Sequence, residues 1–203
     1  MIRLADLALC VPCKDEAPRI PALIAALAAL DPRPGIVLAV DDGSSDGTAQ
    51  LLREAGIRTL VHPQNLGLGA ARNTLWRRAQ RQGCTAVAYL DADVSPPVDY
   101  VARVVAGLGG ASGPDGIEGS ARVAGFGGQN LDLDPSSWVD AWRGRFWPQH
   151  LGGEPLDDAP MLVGACASYR IDALASVGGF DPRHRSHGED VDIGLRLRGA
   201  GHR

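Results

Sequence analysis

Val40-Asp41-Asp42-Gly43-Ser44-Ser45-Asp46-Gly47-Thr48 joins three things in nine residues: the end of an apolar run, a pair of acids and a segment rich in helix caps. The apolar run over residues 36–40, bounded by turn residues, reads as a short buried strand. Gly43 allows a tight turn. Ser45 or Asp46 is the expected N-cap of a helix over residues 46–55. An Asx-turn and a cap account for Asp46 and for one of the serines, but not for two acids ahead of the turn.

The same alternation extends in both directions. Residues 7–11, 57–61 and 86–90 read as further strands, and residues 21–30 and 69–82 as further helices. The first of these helices ends in the turn chemistry of Asp31-Pro32-Arg33-Pro34-Gly35. Strands spaced by helices predict an α/β fold: a Rossmann-like, mostly parallel central sheet flanked by helices. The second half is less regular. Residues 107–119 read as a glycine-rich loop, 118–124 and 161–169 as strands, and 171–177 as a short helix. Another helix, opened by Glu189 and Asp190, runs through 191–198. A helix over 136–147 carries Trp138, Trp142, Phe146 and Trp147, whose ordinary use is core packing, with Arg143 and Arg145 beside them.

The 203 residues fit one domain, with 45% apolar and 22% charged residues in the ordinary globular range. A net charge of -4 and a pI near 5.7 argue against nucleic acid as the partner, since phosphate-backbone binding wants a basic face. A small nucleotide, neutralised by a metal ion, is not excluded. No signal peptide or membrane span is legible, so a cytoplasmic setting is expected. Cys10 and Cys13 have C-x-x-C spacing, but Cys10 ends a strand-like run and no second pair follows, so structural thiols are expected.

In open α/β sheets ligands bind outside the carboxyl ends of the strands. Lys14, Asp15 and Glu16 fall just past the first strand, Asp41 and Asp42 past the second, and Asp91 and Asp93 past the fourth. This acidic rim is costly unless solvated or metal-bound. Asp91 and Asp93, one residue apart, can reach one hard divalent cation such as Mn2+ or Mg2+. Gly67 and Gly69 before a helix suggest a dinucleotide fingerprint, but Arg72 stands where glycine or alanine is required and the turn is too long. Arg72 instead fits a diphosphate contact or a partner for a rim acid. Glu189 and Asp190 suit a helix N-terminus, and Asp190 also suits a general base. Asp192 and Arg196, at i and i+4, predict a structural pair.

Taken in order, these segments resemble the family 2 glycosyltransferases of the GT-A (nucleotide-diphospho-sugar transferase) fold. Val11-Pro12-Cys13-Lys14-Asp15-Glu16 resembles the opening nucleotide-holding element. Val40 through Thr48 is similar to V-D-D-G-S-x-D-G-T, and Asn65 through Asn73 to N-x-G-x-x-x-A-R-N. Leu90-Asp91-Ala92-Asp93 resembles the D-x-D motif, Gly164 to Asp181 the acceptor-side element ending in G-G-F-D (Gly178-Gly179-Phe180-Asp181), and Glu189-Asp190-Val191-Asp192 with Arg196 the E-D-x-D-L-x-x-R element. The resemblance implies an inverting, metal-dependent hexosyltransferase-type enzyme that uses a nucleoside-diphosphate sugar, a UDP- or GDP-sugar above all. It implies that Pro12, Glu16, Asp41, Asp42, Arg72 and Asp91 bind the nucleotide and that Asp91 and Asp93 hold Mn2+ or Mg2+. Asp190 would be the catalytic base, and Glu189 and Asp190 would meet the acceptor, a glycan, lipid or small metabolite.

Residues 1–95 are then the nucleotide-sugar half and 96–203 the acceptor half of a single domain. Relatives continue beyond the last helix, so the acceptor half is expected to be C-terminally truncated. The alternative is a nucleotide-sugar-binding domain without turnover. Peripheral association with the inner face of a membrane fits the aromatic segment. Lys14 departs from the family pattern, which often has an aromatic residue there.

Overall fold

The computed structural model describes residues 2–109, 123–128, 156 and 158–202. The expected helix over 136–147, with its tryptophans and Arg143 and Arg145, lies outside the described residues, as do most of 107–119 and 118–124.

The chain runs β1 (Leu7–Cys13), α1 (Ile20–Ala28), β2 (Ile36–Asp41), α2 (Thr48–Glu54), β3 (Arg58–Val61), α3 (Leu68–Arg81), β4 (Ala86–Tyr89) and α4 (Tyr100–Gly109). It continues through β5 (Gly125–Gly127), a 3-10 turn (Gly164–Cys166), β6 (Ala167–Arg170), α5 (Ile171–Ser176) and α6 (Glu189–Gly199). The six strands form one sheet in the order β3-β2-β1-β4-β6-β5. β1, β2, β3 and β4 are parallel, while β6 runs antiparallel to both β4 and β5.

β1 is buried along its whole length because both faces of the sheet are covered, which is why parallel strands read as unbroken apolar runs. Its side chains alternate between two cores. Ala8 and Cys10 join α3, α5 and α6 through Leu75, Leu174 and Ile193. Leu7, Leu9, Val11 and Cys13 join α1, α2 and α4 through Leu23, Leu52 and Val104. The C-x-x-C pair is therefore split across the sheet, as the two-residue period of a strand requires for residues three apart. All four cysteines are buried and none is in a disulfide. Burial, with Glu16 and Asp41 adding to it, pushes the Cys13 thiol up to about 12.

Pro12 lies inside β1, opposite Val40. Cys10, two residues earlier, accepts from Leu90 N–H through its carbonyl at 3.0 Å. Pro12 faces the same side, past the last residue of β4, so its missing N–H costs the ladder nothing.

Several expected boundaries change. α2 starts at Thr48 rather than Asp46, because Gly47 sits at φ 94° and Asp46 caps from outside the helix. The predicted strand over 161–169 shrinks to β6, preceded by the 3-10 turn. β5, at 125–127, is a short strand that the sequence reading did not include. α4 was not anticipated, although Val101, Val104, Val105 and Leu108 have the i, i+3, i+4, i+7 spacing of a helix face.

Strands two and three lie to one side of β1 and β4 to the other. The strand order thus reverses between β1 and β4, and the crevice at their carboxyl ends is where ligands bind in such sheets.

Candidate active site

The lip over β1 and β2 is one hydrogen-bonded unit. Ser44 Oγ accepts from Asp15 N–H at 2.8 Å, and Asp15 Oδ1 accepts from Ser45 N–H at 2.8 Å. Glu16 N–H donates to Thr48 Oγ1 at 2.9 Å, and Ala17 N–H to Asp46 Oδ2 at 2.9 Å. Asp41, at the tip of β2, accepts from Ser44 N–H at 3.1 Å, a turn contact that was expected of Asp46 and not of this acid. The rim has local cations after all: Lys14 pairs with Asp15, and Arg19 with Glu16 at 2.6 Å.

Three residues expected at the nucleotide have side chains held within the protein framework. Asp42 is 4% exposed and Asp41 2%, so burial does not separate them, but both oxygens of Asp42 are taken. Oδ1 meets His62 Nδ1 at 2.7 Å and Leu66 N–H at 2.8 Å, and Oδ2 accepts from Gly67 N–H at 2.8 Å. It fixes the loop between β3 and α3. Pro12 is buried in its strand. Arg72 is 1% exposed, so of its two expected roles the structure supports the partner to a rim acid.

The Arg72 guanidinium lies beside the edge-on pair of Tyr89 and Phe180, at 5.5 and 5.7 Å from their centroids, which are 5.6 Å apart. Nη1 donates to Glu189 Oε1 at 2.5 Å and Nη2 to the Gly164 carbonyl at 2.9 Å. Nη2 is also 3.5 Å from Asp91 Oδ1, close enough for charge attraction but not aligned as a hydrogen bond. Burial works against the charge on Arg72, but Asp91 and Glu189 more than offset it and its pKa is raised. Glu189, expected at the acceptor, is 3% exposed and committed to Arg72. Asp190 is its partly exposed neighbour, with Oδ2 accepting from Gly164 N–H at 3.2 Å and Oδ1 from Val191 N–H at 2.8 Å.

Asp91 and Asp93 stand just past β4, with Asp93 exposed and the Asp91 side chain 33% exposed. Burial, opposed by Arg72 and reinforced by Asp93 and Glu16, holds the Asp91 carboxyl above its ordinary range. A cation would relieve that. Among the described residues no three His, Cys, Asp or Glu side chains come together as a metal cage. Two carboxylates still fit Mn2+ or Mg2+, which commonly takes one or two from the protein and the rest of its shell from substrate phosphate and water.

Sequence reasoning passed over Asn73, His62 and Gly164. Asn73 Nδ2 donates to the Phe180 carbonyl at 2.7 Å, and its Oδ1 accepts from Phe180 N–H at 3.0 Å and Trp76 Nε1 at 2.8 Å. It pins the G-G-F-D segment onto α3. His62 follows β3 directly, so extending the strand-end rule to the third strand would have found it. The sequence marks Gly164 only as the start of the acceptor-side element, with no role of its own. The α3 N-terminus is no phosphate site: Leu68 N–H donates to the Arg185 carbonyl at 2.8 Å, and a Cβ at Gly67 would lie 2.8 Å from Arg185 Cα. The predicted Asp192–Arg196 pair forms at 2.5 Å, and Arg196 also donates to the carbonyls of Val177 and Gly179.

The sequence profile of the family described as Glycosyl transferase family 2 matches residues 8–178. The chain belongs to glycosyl transferase family 2. Within it, the N-acetylglucosaminyl-diphospho-decaprenol L-rhamnosyltransferase of Mycobacterium tuberculosis is 32% identical over 209 residues, covering 91% of this chain and 67% of that one. Among solved structures, the mannosyltransferase PcManGT from Pyrobaculum calidifontis, in complex with GDP-Man and Mn2+, superposes with a TM-score of 0.69 at 21% identity. S. aureus TarS follows at 0.64 and 16%. This chain spans 53% and 55% of those two. The likeness establishes the GT-A fold for this family 2 glycosyltransferase domain, with its mixed six-stranded sheet between helices.

Proposed function

We propose that this domain transfers a sugar from a nucleoside-diphosphate sugar, a UDP- or GDP-sugar above all, to an acceptor hydroxyl, with inversion at the anomeric carbon. One observation carries the reading: residues 164–165 bridge the two halves of the chemistry. The Ala165 carbonyl accepts from Asp91 N–H at 3.0 Å, and Gly164 N–H donates to Asp190 at 3.2 Å. The acids past β4 and the candidate base thus share one short segment of backbone.

In this reading Asp190 takes the proton of the acceptor hydroxyl, and the freed oxygen attacks the anomeric carbon from the face opposite the diphosphate. The bond to the diphosphate breaks as the new glycosidic bond forms, so a single displacement inverts the centre. Asp91 and Asp93 are the residues that would hold Mn2+ or Mg2+, which when bound offsets charge on the departing diphosphate. Asp41 and Glu16 stand at the donor lip. Both Asp190 oxygens accept a backbone N–H, which fixes the carboxylate without burying it.

The mycobacterial relative is named for transfer to a diphospho-decaprenol, which supports a lipid-linked diphosphate as the acceptor class. Among the described residues no helix is long and apolar enough to cross a membrane. Work on such an acceptor would then be peripheral, at the inner membrane face.

The test is a melting titration with UDP, GDP, ADP, CMP and dTDP, each with Mn2+ or with EDTA. One nucleoside diphosphate is expected to stabilise the protein with Mn2+, by about 2.7 kcal/mol at a hundred times its dissociation constant. That corresponds to a rise of about 5–11 °C for a chain of this size. EDTA or Asp93→Ala should abolish the rise. A melt indifferent to every nucleotide with Mn2+ would overturn the assignment of the donor site.

A further inference from the structure

We propose that Arg72 is the positioning residue for the base: it holds Asp190 in place by gripping Gly164 on one side and Glu189 on the other. This rests on reading Asp190 as the base. Arg72 touches neither the acceptor nor the reacting carbon. Its Nη2 holds the Gly164 carbonyl at 2.9 Å, and the N–H of the same residue reaches Asp190 Oδ2 at 3.2 Å. Its Nη1 holds Glu189 at 2.5 Å, one residue before Asp190 in the first turn of α6. The carboxylate is therefore fixed through two routes that meet at one guanidinium.

Three features favour positioning over plain stabilisation. First, the arrangement is costly. Arg72 Nε, Glu189 Oε2 and Asp91 Oδ1 are buried without hydrogen-bond partners among the described residues. A buried ion pair with unpaired polar atoms is commonly no more stable than an apolar core of the same volume. Second, the guanidinium has little freedom. It is buried against the paired rings of Tyr89 and Phe180, and the Tyr89 hydroxyl donates to the Arg72 carbonyl at 2.9 Å. Third, Gly164 leaves the room this needs, since a Cβ there would lie 2.8 Å from Nη1. The guanidinium also sits 3.5 Å from Asp91, so one side chain spans the donor acids and the base.

Hydrogen exchange and a kinetic cycle test this together, using Arg72→Lys, Glu189→Gln, Asp190→Asn and the double variant of the last two. Arg72→Lys and Glu189→Gln are expected to raise exchange at the Gly164 and Val191 amides, the two donors to Asp190, by about tenfold. The amides of α3 and the central strands should stay protected, and the melting shift given by nucleoside diphosphate with Mn2+ should persist in Glu189→Gln. Unchanged protection at Gly164, or loss spread evenly over α3 and the sheet, would overturn the proposal.

Release of nucleoside diphosphate from UDP-glucose or GDP-mannose, with water as acceptor, gives the kinetic arm. Glu189→Gln should lower kcat by roughly 10- to 100-fold, a part of the roughly 10²–10⁴ that a well-placed base supplies. KM should stay within about threefold. In the Asp190→Asn background the same change should alter kcat by less than about twofold, because the residue it positions is gone. Additive losses would sink the positioning role and leave Asp190 as base. Undiminished kcat in Asp190→Asn alone would instead sink the reading of Asp190 as base.

Discussion

Asp42 and Asp41 are neighbours, both buried, and differ in the partners that strand geometry gives each. Asp41 is the last residue of β2 and turns its carboxylate to Ser44 at the lip. Asp42 points into the gap behind it and gathers one imidazole and two backbone N–H groups from residues 62–67. Replacing it by alanine strands those donors in a buried space. Asp42→Ala is expected to cost about 3 kcal/mol, and calorimetry should find the melt lower by about 6–12 °C. Donor nucleotide affinity of the folded fraction should hold within about threefold, since the carboxylate serves the framework. A large affinity loss with an unchanged melt would restore Asp42 to the pocket. Sequence marked both acids as unusual but could not tell them apart, because the distinction depends on where His62 and residues 66–67 return in space.

Elements tell the same story through glycine. Gly67 and Gly69 precede α3 as they would in a dinucleotide site, yet the space they leave is filled by the chain's own backbone. The carbonyls of Arg185 and His184 accept from the first amides of the helix. Gly67→Ala meets both a positive φ of 96° and the Arg185 backbone, whereas Gly47→Ala meets a φ of 94° with open space around it. Strain of this kind costs about 1–3 kcal/mol. The melting loss at Gly67 should therefore exceed that at Gly47 by several degrees, and equal losses would mean that the close approach is unimportant. The helices α1 and α3 and the first four strands were readable because apolar period and turn chemistry agree there. α4 was hidden by its glycines at 107 and 109, which drew the reading toward a loop while its valines pointed to a helix. β6 was overextended because the apolar residues at 161–163 lead into a 3-10 turn before the strand begins.

Over the whole molecule, the division into a nucleotide half and an acceptor half is not a division of the fold. β4 pairs with β1 on one edge and with β6 on the other, so one sheet runs through both halves. Arg72 and Asn73, on the nucleotide side, are buried only because Glu189, Gly164 and Phe180 come from the other. Circular dichroism and tryptophan fluorescence should therefore report one coincident unfolding transition, as a single cooperative unit requires. Residues 1–95 expressed alone should remain unfolded by both probes, and a fragment with a cooperative melt of its own would contradict this. The shared sheet also bears on how such a domain can acquire a new acceptor. Recombination that joined the first half of one gene to the second half of a distant one would break the β4–β6 seam and strand a buried guanidinium. New acceptor preferences are therefore expected to arise by drift within the segments around the crevice, and engineered chimeras should place their crossovers outside the span from Arg72 to Glu189.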